Sequence, residues 1–440
     1  MTPAARLQCA IEALDEIEES IARQGAAADV LLKAFFRARR YAGSGDRRAV
    51  FDHVYAVLRA RGLYLWICGE AGQGSDGRRL LISHLALNDA SLLDLFTGET
   101  YAPAKIADSE RQLIALAQTI DQETAPLWAK WNCPAYLADS LQRRFGEGAD
   151  AVRLSLNERA PVDLRVNSLS LPREDLKTRF AEESIELDVC AHSPWGLRLK
   201  EQRYLENHPL FRSGYFELQD EGSQIVSALC EAQPGQTVID LCAGAGGKTL
   251  ALAAMMKDRG RLLAADTSLQ RLKNLDPRLK RSAVTCVSTH LLNHDLKSRA
   301  DVFKDVQGKA DLVVVDAPCS GTGTWRRHPE ARWRYDRDDI KKFTKLQDDL
   351  IDEACMLVKP GGRVVYITCS LLEEEGEHRV EAALKRNGDL KLMDYHGILP
   401  NINMVALAET HSYLEQCLLL SPYRHGVDGF FFATFERLNA

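Results

Sequence analysis

The sequence has no long apolar run: nothing in it approaches the roughly 18 consecutive apolar residues that a membrane-spanning helix needs. Its first twenty residues carry Glu12, Asp15, Glu16, Glu18 and Glu19 and no apolar stretch, so a secretory signal is not expected. The 11 cysteines are odd in number and include no C-x-x-C pair. Neither a disulfide framework nor a zinc site is indicated, and no metal is expected. Most of the thiols read as small core residues of a reduced, cytoplasmic protein. Excess positive charge is missing too: the net charge is −6, so any attraction to nucleic acid must be local. Internal repeats and low-complexity segments are absent, and nothing suggests more than a monomer. What is present is ordinary for a globular chain, 45% hydrophobic and 27% charged over 440 residues, enough for two or three domains.

Residues 1–124 read as helices. Leu7, Ile11, Leu14, Ile17 and Ile21 recur at steps of three or four and give one apolar face. Leu31, Leu32, Phe35 and Phe36 make a second stripe, and Val50, Val54, Val57 and Leu58 a third. Between Lys33 and Arg61, eight Lys or Arg stand against Asp46 and Asp52, which is either a solvated helix face or a surface for phosphates. Residues 70–79, 101–105 and 126–134 carry glycine or proline and read as connections, with a helix predicted over 136–145. Short alternating strands at 162–167 and 197–199 make 125–213 a small α+β subdomain. After Gly214 the style changes. Apolar segments at 238–241, 262–265, 312–315 and 364–368 alternate with helical stretches at 249–256 and 345–357. That alternation predicts an α/β domain over 214–440, a parallel sheet with helices on its faces. Two last runs, 417–420 and 429–435, have no helix between them and predict an antiparallel hairpin closing the sheet.

Cys242, Ala243, Gly244, Ala245, Gly246, Gly247 and Lys248 follow the first of these strands as a glycine-rich turn leading into a helix. Glycines let backbone approach a ligand, and a helix start offers unpaired N–H groups. A Walker A loop would need glycine where Cys242 stands, and a dinucleotide fingerprint would need glycine where Thr249 stands. An S-adenosylmethionine turn requires instead an acid at the end of the next strand for the ribose hydroxyls. Asp266 meets that requirement, and Asp295 follows where an adenine contact is expected. Alone, either acid could equally be a helix cap.

Two buried-strand signals end in thiols: Val313-Val314-Val315 runs into Asp316-Ala317-Pro318-Cys319-Ser320-Gly321, and Tyr366-Ile367-Thr368 into Cys369-Ser370. In open α/β sheets the ligand crevice lies beyond the carboxyl ends of the strands. A pair of thiols there suits one chemistry. Carbon 5 of cytosine attacks a methyl donor only after a thiolate has added to carbon 6. A base must then remove the carbon-5 proton so that the thiolate can leave, and an acid on the ring nitrogen eases the addition.

These motifs resemble the RNA cytosine-5 methyltransferases of the NOP/NSUN superfamily, and most closely the bacterial small-subunit ribosomal RNA branch (RsmB/Sun-like) with a NusB-like N-terminal domain. The likeness rests on Asp240-Leu241-Cys242-Ala243, Gly246-Gly247-Lys248-Thr249, the Pro-Cys and Thr-Cys motifs, Gln219-Asp220-Glu221-Gly222, Arg326-Arg327-His328-Pro329-Glu330 and Asp428-Gly429-Phe430-Phe431. Arg165-Val166-Asn167 extends it into the middle subdomain. It implies a Rossmann-like, S-adenosylmethionine-dependent catalytic domain at 214–440, an α+β RNA-binding subdomain at 125–213 and a helical NusB-like RNA-binding domain at 1–124. It implies Cys369 as nucleophile, Cys319 as the group that assists release, and Asp316 between cofactor and target base. The residues 242–248, Asp266 and Asp295 would line the cofactor, with Lys248 also facing the substrate. Two positions depart from the family pattern: Ala245 replaces a proline, which implies a looser turn, and Gly376 follows Glu374-Glu375 where asparagine is common.

The partner implied is RNA, ribosomal before transfer RNA. Between Trp325 and Lys345, eight Lys or Arg and four aromatic residues are expected to grip phosphates and stack on bases. Because the target carbon is inaccessible in a stacked helix, the cytosine is expected to be extruded or unpaired. A DNA cytosine-5 methyltransferase would use the Pro-Cys thiol and leave Cys369 unexplained. A non-catalytic ribosome-assembly factor would be expected to have lost part of this set.

Overall fold

The computed structural model describes residues 1–402, 404, 407 and 412–439, with backbone only at 296 and 297. By contacts the chain forms two compact units, Met1–Arg159 with Thr324–Asp338, and Ala160–Gly323 with Asp339–Ala440. No helix among the described residues is long and apolar enough to cross a membrane.

The first unit is helical, and the stripes read from the sequence are its core. Helix Pro3–Ala22 buries Leu7, Ile11, Leu14, Ile17 and Ile21, and these pack with Phe35, Phe36, Val50, Val54, Val57 and Leu58 in one cluster. Much of the basic run is internally paired. Arg39 meets Glu12 at 2.8 Å, and Arg61 is buried against Glu18. Arg37, Arg40 and Arg48 stay exposed. Residues 126–134 are more than a connection, since Leu127–Trp131 is a helical turn with Trp131 buried. Pro126 precedes its first helical residue, where a missing N–H costs nothing.

The segment Thr324–Asp338 corrects the RNA-stacking expectation at Trp325, while Trp333, Tyr335 and Phe343 are half-buried. Trp325 and Arg332 are each only 1% exposed. The Arg332 guanidinium donates to the carbonyls of Trp131 (3.2 Å) and Leu156 (2.6 Å) and to Asn157 Oδ1 (2.6 Å), and lies over the Trp325 ring. Trp333 packs on the helical core. Ring faces buried in protein cannot stack on bases. Of this stretch, Arg337, Lys341, Lys342 and Lys345 remain at the surface.

The second unit holds two sheets. The smaller is antiparallel: β1 (Asp163–Val166), β2 (Leu187–Val189), β3 (Gly196–Leu199) and β4 (Phe216–Leu218), in the order β2-β3-β1-β4. The larger comprises β5 (Thr237–Asp240), β6 (Arg261–Asp266), β7 (Val287–Leu291), β8 (Ala310–Asp316), β9 (Val358–Thr368), β10 (Leu390–Met393), β11 (Leu418–Leu420) and β12 (Phe430–Arg437). Its order is β10-β12-β9-β8-β5-β6-β7, with β11 beside β12. Strands β7, β6, β5, β8 and β9 are parallel, as the alternation predicts, and β11 and β12 form the expected antiparallel pair, but β10, which the sequence reading does not place, also pairs with β12 at that edge. β7 escapes a sequence reading because it is an edge strand, with Ser288, Thr289 and Leu291 exposed and no apolar run to see. The arrangement puts the carboxyl ends of β5, β6, β8 and β9 side by side.

Candidate active site

Strand β5 ends at Asp240, and the chain then makes the glycine turn into helix Gly247–Met255. Gly246 is its hinge. At φ +86° it occupies a backbone region that side chains disfavour, and an added Cβ would lie 2.0 Å from Leu275 Cδ1. The turn is tied from outside as well. Arg165 of β1, buried and with its pKa lowered to about 10 by burial, donates to the Gly247 carbonyl and to Gln219 Oε1 (2.6 Å). Arg278 donates to the Ala245 carbonyl and pairs with Glu217 at 2.9 Å. So the alanine in place of proline does not leave this turn unsupported.

A cavity of about 390 Å³ opens at these strand ends. Cys242, Ala243, Gly244, Ala245, Gly247, Lys248, Asp266, Asp316, Cys319 and Cys369 all line it. Gly246 and Asp295 do not. Gly246 faces Leu275, and Asp295 is an exposed turn residue whose N–H is held by Asn293 Oδ1 at 3.0 Å. Its neighbours His294 and Arg299 reach the cavity instead, Arg299 buried and paired with Glu353 at 2.8 Å. Asp266 accepts from the Gly244 N–H (2.8 Å) and from the Ser268 N–H (2.7 Å), so it fixes the turn and steadies Ser268, which caps the next helix.

On the far side of the cavity, β8 and β9 run parallel with Asp316 opposite Ile367, which brings their two terminal turns together. Cys319 Sγ lies 3.4 Å from Cys369 Sγ. Lys248 Nζ reaches Asp316 Oδ2 at 2.7 Å and stands over the Phe430 ring. Burial opposes the lysine charge, but Asp316, and behind it Cys369, outweighs that and raises the Lys248 pKa. The Cys319 thiol is pushed well up, first by its hydrogen bond to Cys369, then by burial. Gly376 passes the Phe431 ring, where a Cβ would lie 3.1 Å from Cδ2.

Asp240 has one oxygen held by Thr249 Oγ1 at 2.7 Å; the other, Oδ1, is buried with no partner. Burial raises its pKa to about 7. Below the ordinary carboxylate range the group is protonated in both folded and unfolded chains. From there to about pH 7 only the fold keeps the proton, so stability falls as pH rises and the full cost is present above about pH 7. Asp240→Asn is therefore expected to gain stability relative to wild type on moving from about pH 5 to about pH 8, read from denaturant midpoints. An unchanged difference would show that Asp240 is ionised in the fold.

The glycine turn, with open space where a Gly244 Cβ would stand, the acid ending β6 and the apolar side formed by Leu241, Ala243, Leu346 and Leu350 together suit S-adenosylmethionine. A metal is a poorer fit elsewhere in this unit. Asp163, Cys190 and Glu221 cluster within 4.8 Å, but Arg198 already pairs with both carboxylates.

Comparison with known proteins agrees with this geometry. The family model described as 16S rRNA methyltransferase RsmB/F matches residues 227–436, and the RsmF/B-like ferredoxin-like domain model matches 133–206. A probable ribosomal RNA small subunit methyltransferase B from Synechocystis is 30% identical over 320 residues, 72% of this chain and 70% of that protein. A human 28S rRNA (cytosine(4447)-C(5))-methyltransferase is 32% identical over 287 residues, 63% of this chain and 34% of the human one. The solved chain PH0851 shares the fold, with a TM-score of 0.78, 24% identity and 99% of each chain covered. The chain thus belongs to the RsmB/F family of S-adenosylmethionine-dependent RNA methyltransferases.

Proposed function

We propose that this enzyme forms 5-methylcytosine in small-subunit ribosomal RNA. The observation that carries the reading is the pair of thiols 3.4 Å apart on the cavity wall opposite the cofactor turn. Cys369, as its thiolate, adds to cytosine carbon 6, and ring nitrogen 3, which receives the displaced electron pair, takes up a proton. The Asp316 carboxylate, steadied by Lys248, accepts from that N–H until the proton is lost again on release. S-adenosylmethionine, when bound, supplies the methyl group that carbon 5 takes. Cys319 then removes the carbon-5 proton, the carbon–sulfur bond breaks, and Cys369 leaves as thiolate. The largest cause of the high Cys319 pKa is its bond to Cys369. Once the Cys369 sulfur is bound to carbon that cause is gone, and Cys319 ionises more readily at the step that needs a base.

Of the acids assigned to the cofactor, Asp266 is supported by its place in the cavity, while Asp295 has only the resemblance behind it. We further propose the sequence-based division: a NusB-like RNA-binding domain at 1–124, an α+β RNA-binding subdomain at 125–213 and the catalytic domain at 214–440, acting as a cytoplasmic monomer. Arg37, Arg40 and Arg48, exposed on the first unit, are the cations offered to RNA phosphates there.

The test is transfer of label from methyl-labelled cofactor to unmodified small-subunit ribosomal RNA, to transfer RNA and to intact duplex. Label recovered as 5-methylcytosine in an unpaired or extrudable ribosomal site is expected. Preferential labelling of transfer RNA would move the substrate, labelling of stable duplex alone would overturn the extrusion reading, and cofactor binding without transfer to any RNA would favour a non-catalytic assembly factor.

A further inference from the structure

Both thiol turns are held by one buried acid. Glu375, wholly buried, lies a few residues past Cys369, yet its carboxylate grips the residue after Cys319. Its Oε1 accepts from the Ser320 N–H at 2.9 Å and from Gln347 Nε2 at 3.2 Å, and its Oε2 accepts from the Ser320 hydroxyl. Gln347 also donates to the Pro318 carbonyl at 2.9 Å, so Cys319 is clamped on both flanks. The Glu375 carbonyl is fixed in turn by the Tyr366 hydroxyl at 2.7 Å, and Tyr366 belongs to β9, which ends at Thr368 just before Cys369.

We propose that Glu375 is a positioning residue that sets the place of Cys319 relative to Cys369, and so governs release of the methylated base and not its formation. This rests on the two-thiol reading above. The reason is the asymmetry of the contacts. Cys369 is placed by β9 itself, whereas Cys319 stands three residues beyond the end of β8, in a turn whose polar flanks end on Glu375 and Gln347. The end of β9 ties this turn only at its margins, through Ala317 N–H to the Ile367 carbonyl and Gly323 N–H to the Cys369 carbonyl, each at 2.9 Å. Between them Glu375 holds the residue after Cys319, and its three bonds offset part of a burial that still raises its pKa.

The experiment measures covalent protein–RNA adduct on denaturing gels and free methylated RNA in the same reactions, with cofactor affinity determined separately by calorimetry. Glu375→Ala is expected to raise the ratio of adduct to released product by roughly 10- to 100-fold, since a displacement of about 1 Å at a reacting group costs this much. Cofactor affinity should stay near wild type. Glu375→Gln, whose amide can still accept from the Ser320 N–H, should restore most of the release. Ser320→Ala, which removes a single hydroxyl, should move the ratio the same way by a smaller factor, so the idea stays testable if Glu375→Ala does not fold. Adduct and product falling together, or an unchanged ratio in Glu375→Ala and Ser320→Ala, would overturn the assignment while Cys319→Ala still traps adduct. If Cys319→Ala itself traps none, the two-thiol reading fails and this inference with it.

Discussion

Cys369→Ala is expected to abolish both methyl transfer and the protein–RNA adduct, while Cys319→Ala, one sulfur away, accumulates the adduct. For Cys369→Ala the loss should be at least ~10³-fold, because the substitution removes the nucleophile itself. Cys319→Ala leaves addition and methylation intact but removes the base for the carbon-5 proton. The enzyme should therefore turn over about once and stall as a covalent complex, with multiple-turnover rate down by roughly 10²- to 10⁴-fold, the usual worth of a general base. The proximity of the sulfurs makes the test informative: at 3.4 Å, either could reach a base that the other reaches, and only the opposite phenotypes separate their roles. If Cys319→Ala abolished the adduct while Cys369→Ala still methylated, the roles would be reversed and the Pro-Cys thiol would be the nucleophile, as in the DNA enzymes.

The second large effect is expected at Gly246→Ala. A residue other than glycine at φ +86° costs about 1–3 kcal/mol of backbone strain. The added Cβ, 2.0 Å from Leu275 Cδ1, must also displace a buried side chain from beneath the turn, at a further ~1–3 kcal/mol. Together these would unfold a marginal domain or, short of that, shift the residues 242–248 by enough to lose the cofactor. Calorimetric titration with the cofactor and thermal unfolding should both report the loss. Gly244→Ala is the control. It too has a positive φ, +56°, but nothing lies within 4 Å of its added Cβ, so it carries the backbone cost without the collision. Because Gly244 lines the cavity, the comparison is made on thermal unfolding, where equal losses in the two variants would mean that the Leu275 contact is unimportant.

Local sequence carried a large part of this molecule. The parallel strands were visible because strands buried on both faces have to be runs of Val, Leu and Ile, as 312–315 and 364–368 are. The edge strand β7 was not visible, because one-sided exposure removes that run. Asp266 was legible as the residue ending its strand. Asp295 was placed by the same kind of reasoning and does not line the cavity, because the loop after β7 turns on Asn293 and presents His294 and Arg299 instead. The aromatic and basic stretch after the first thiol turn was legible as composition only. Whether Trp325 faces solvent or protein depends on Trp131, Leu156 and Asn157, which lie far away in the chain and hold Arg332 beside it.

By itself, then, the sequence determined the α/β class, the cofactor turn, the two thiol motifs and the family, because each is a short-range pattern: a buried strand, a glycine turn, a reactive residue at a strand end. The tertiary structure decided that Cys319 and Cys369, 50 positions apart, meet at 3.4 Å, since that depends on β8 and β9 being parallel neighbours in register. It also decided that Arg165 supports the cofactor turn and that Glu375 grips the turn carrying Cys319. Buried polar groups have to find partners wherever the fold brings them, and the spacing of residues along a chain does not encode which partner that will be.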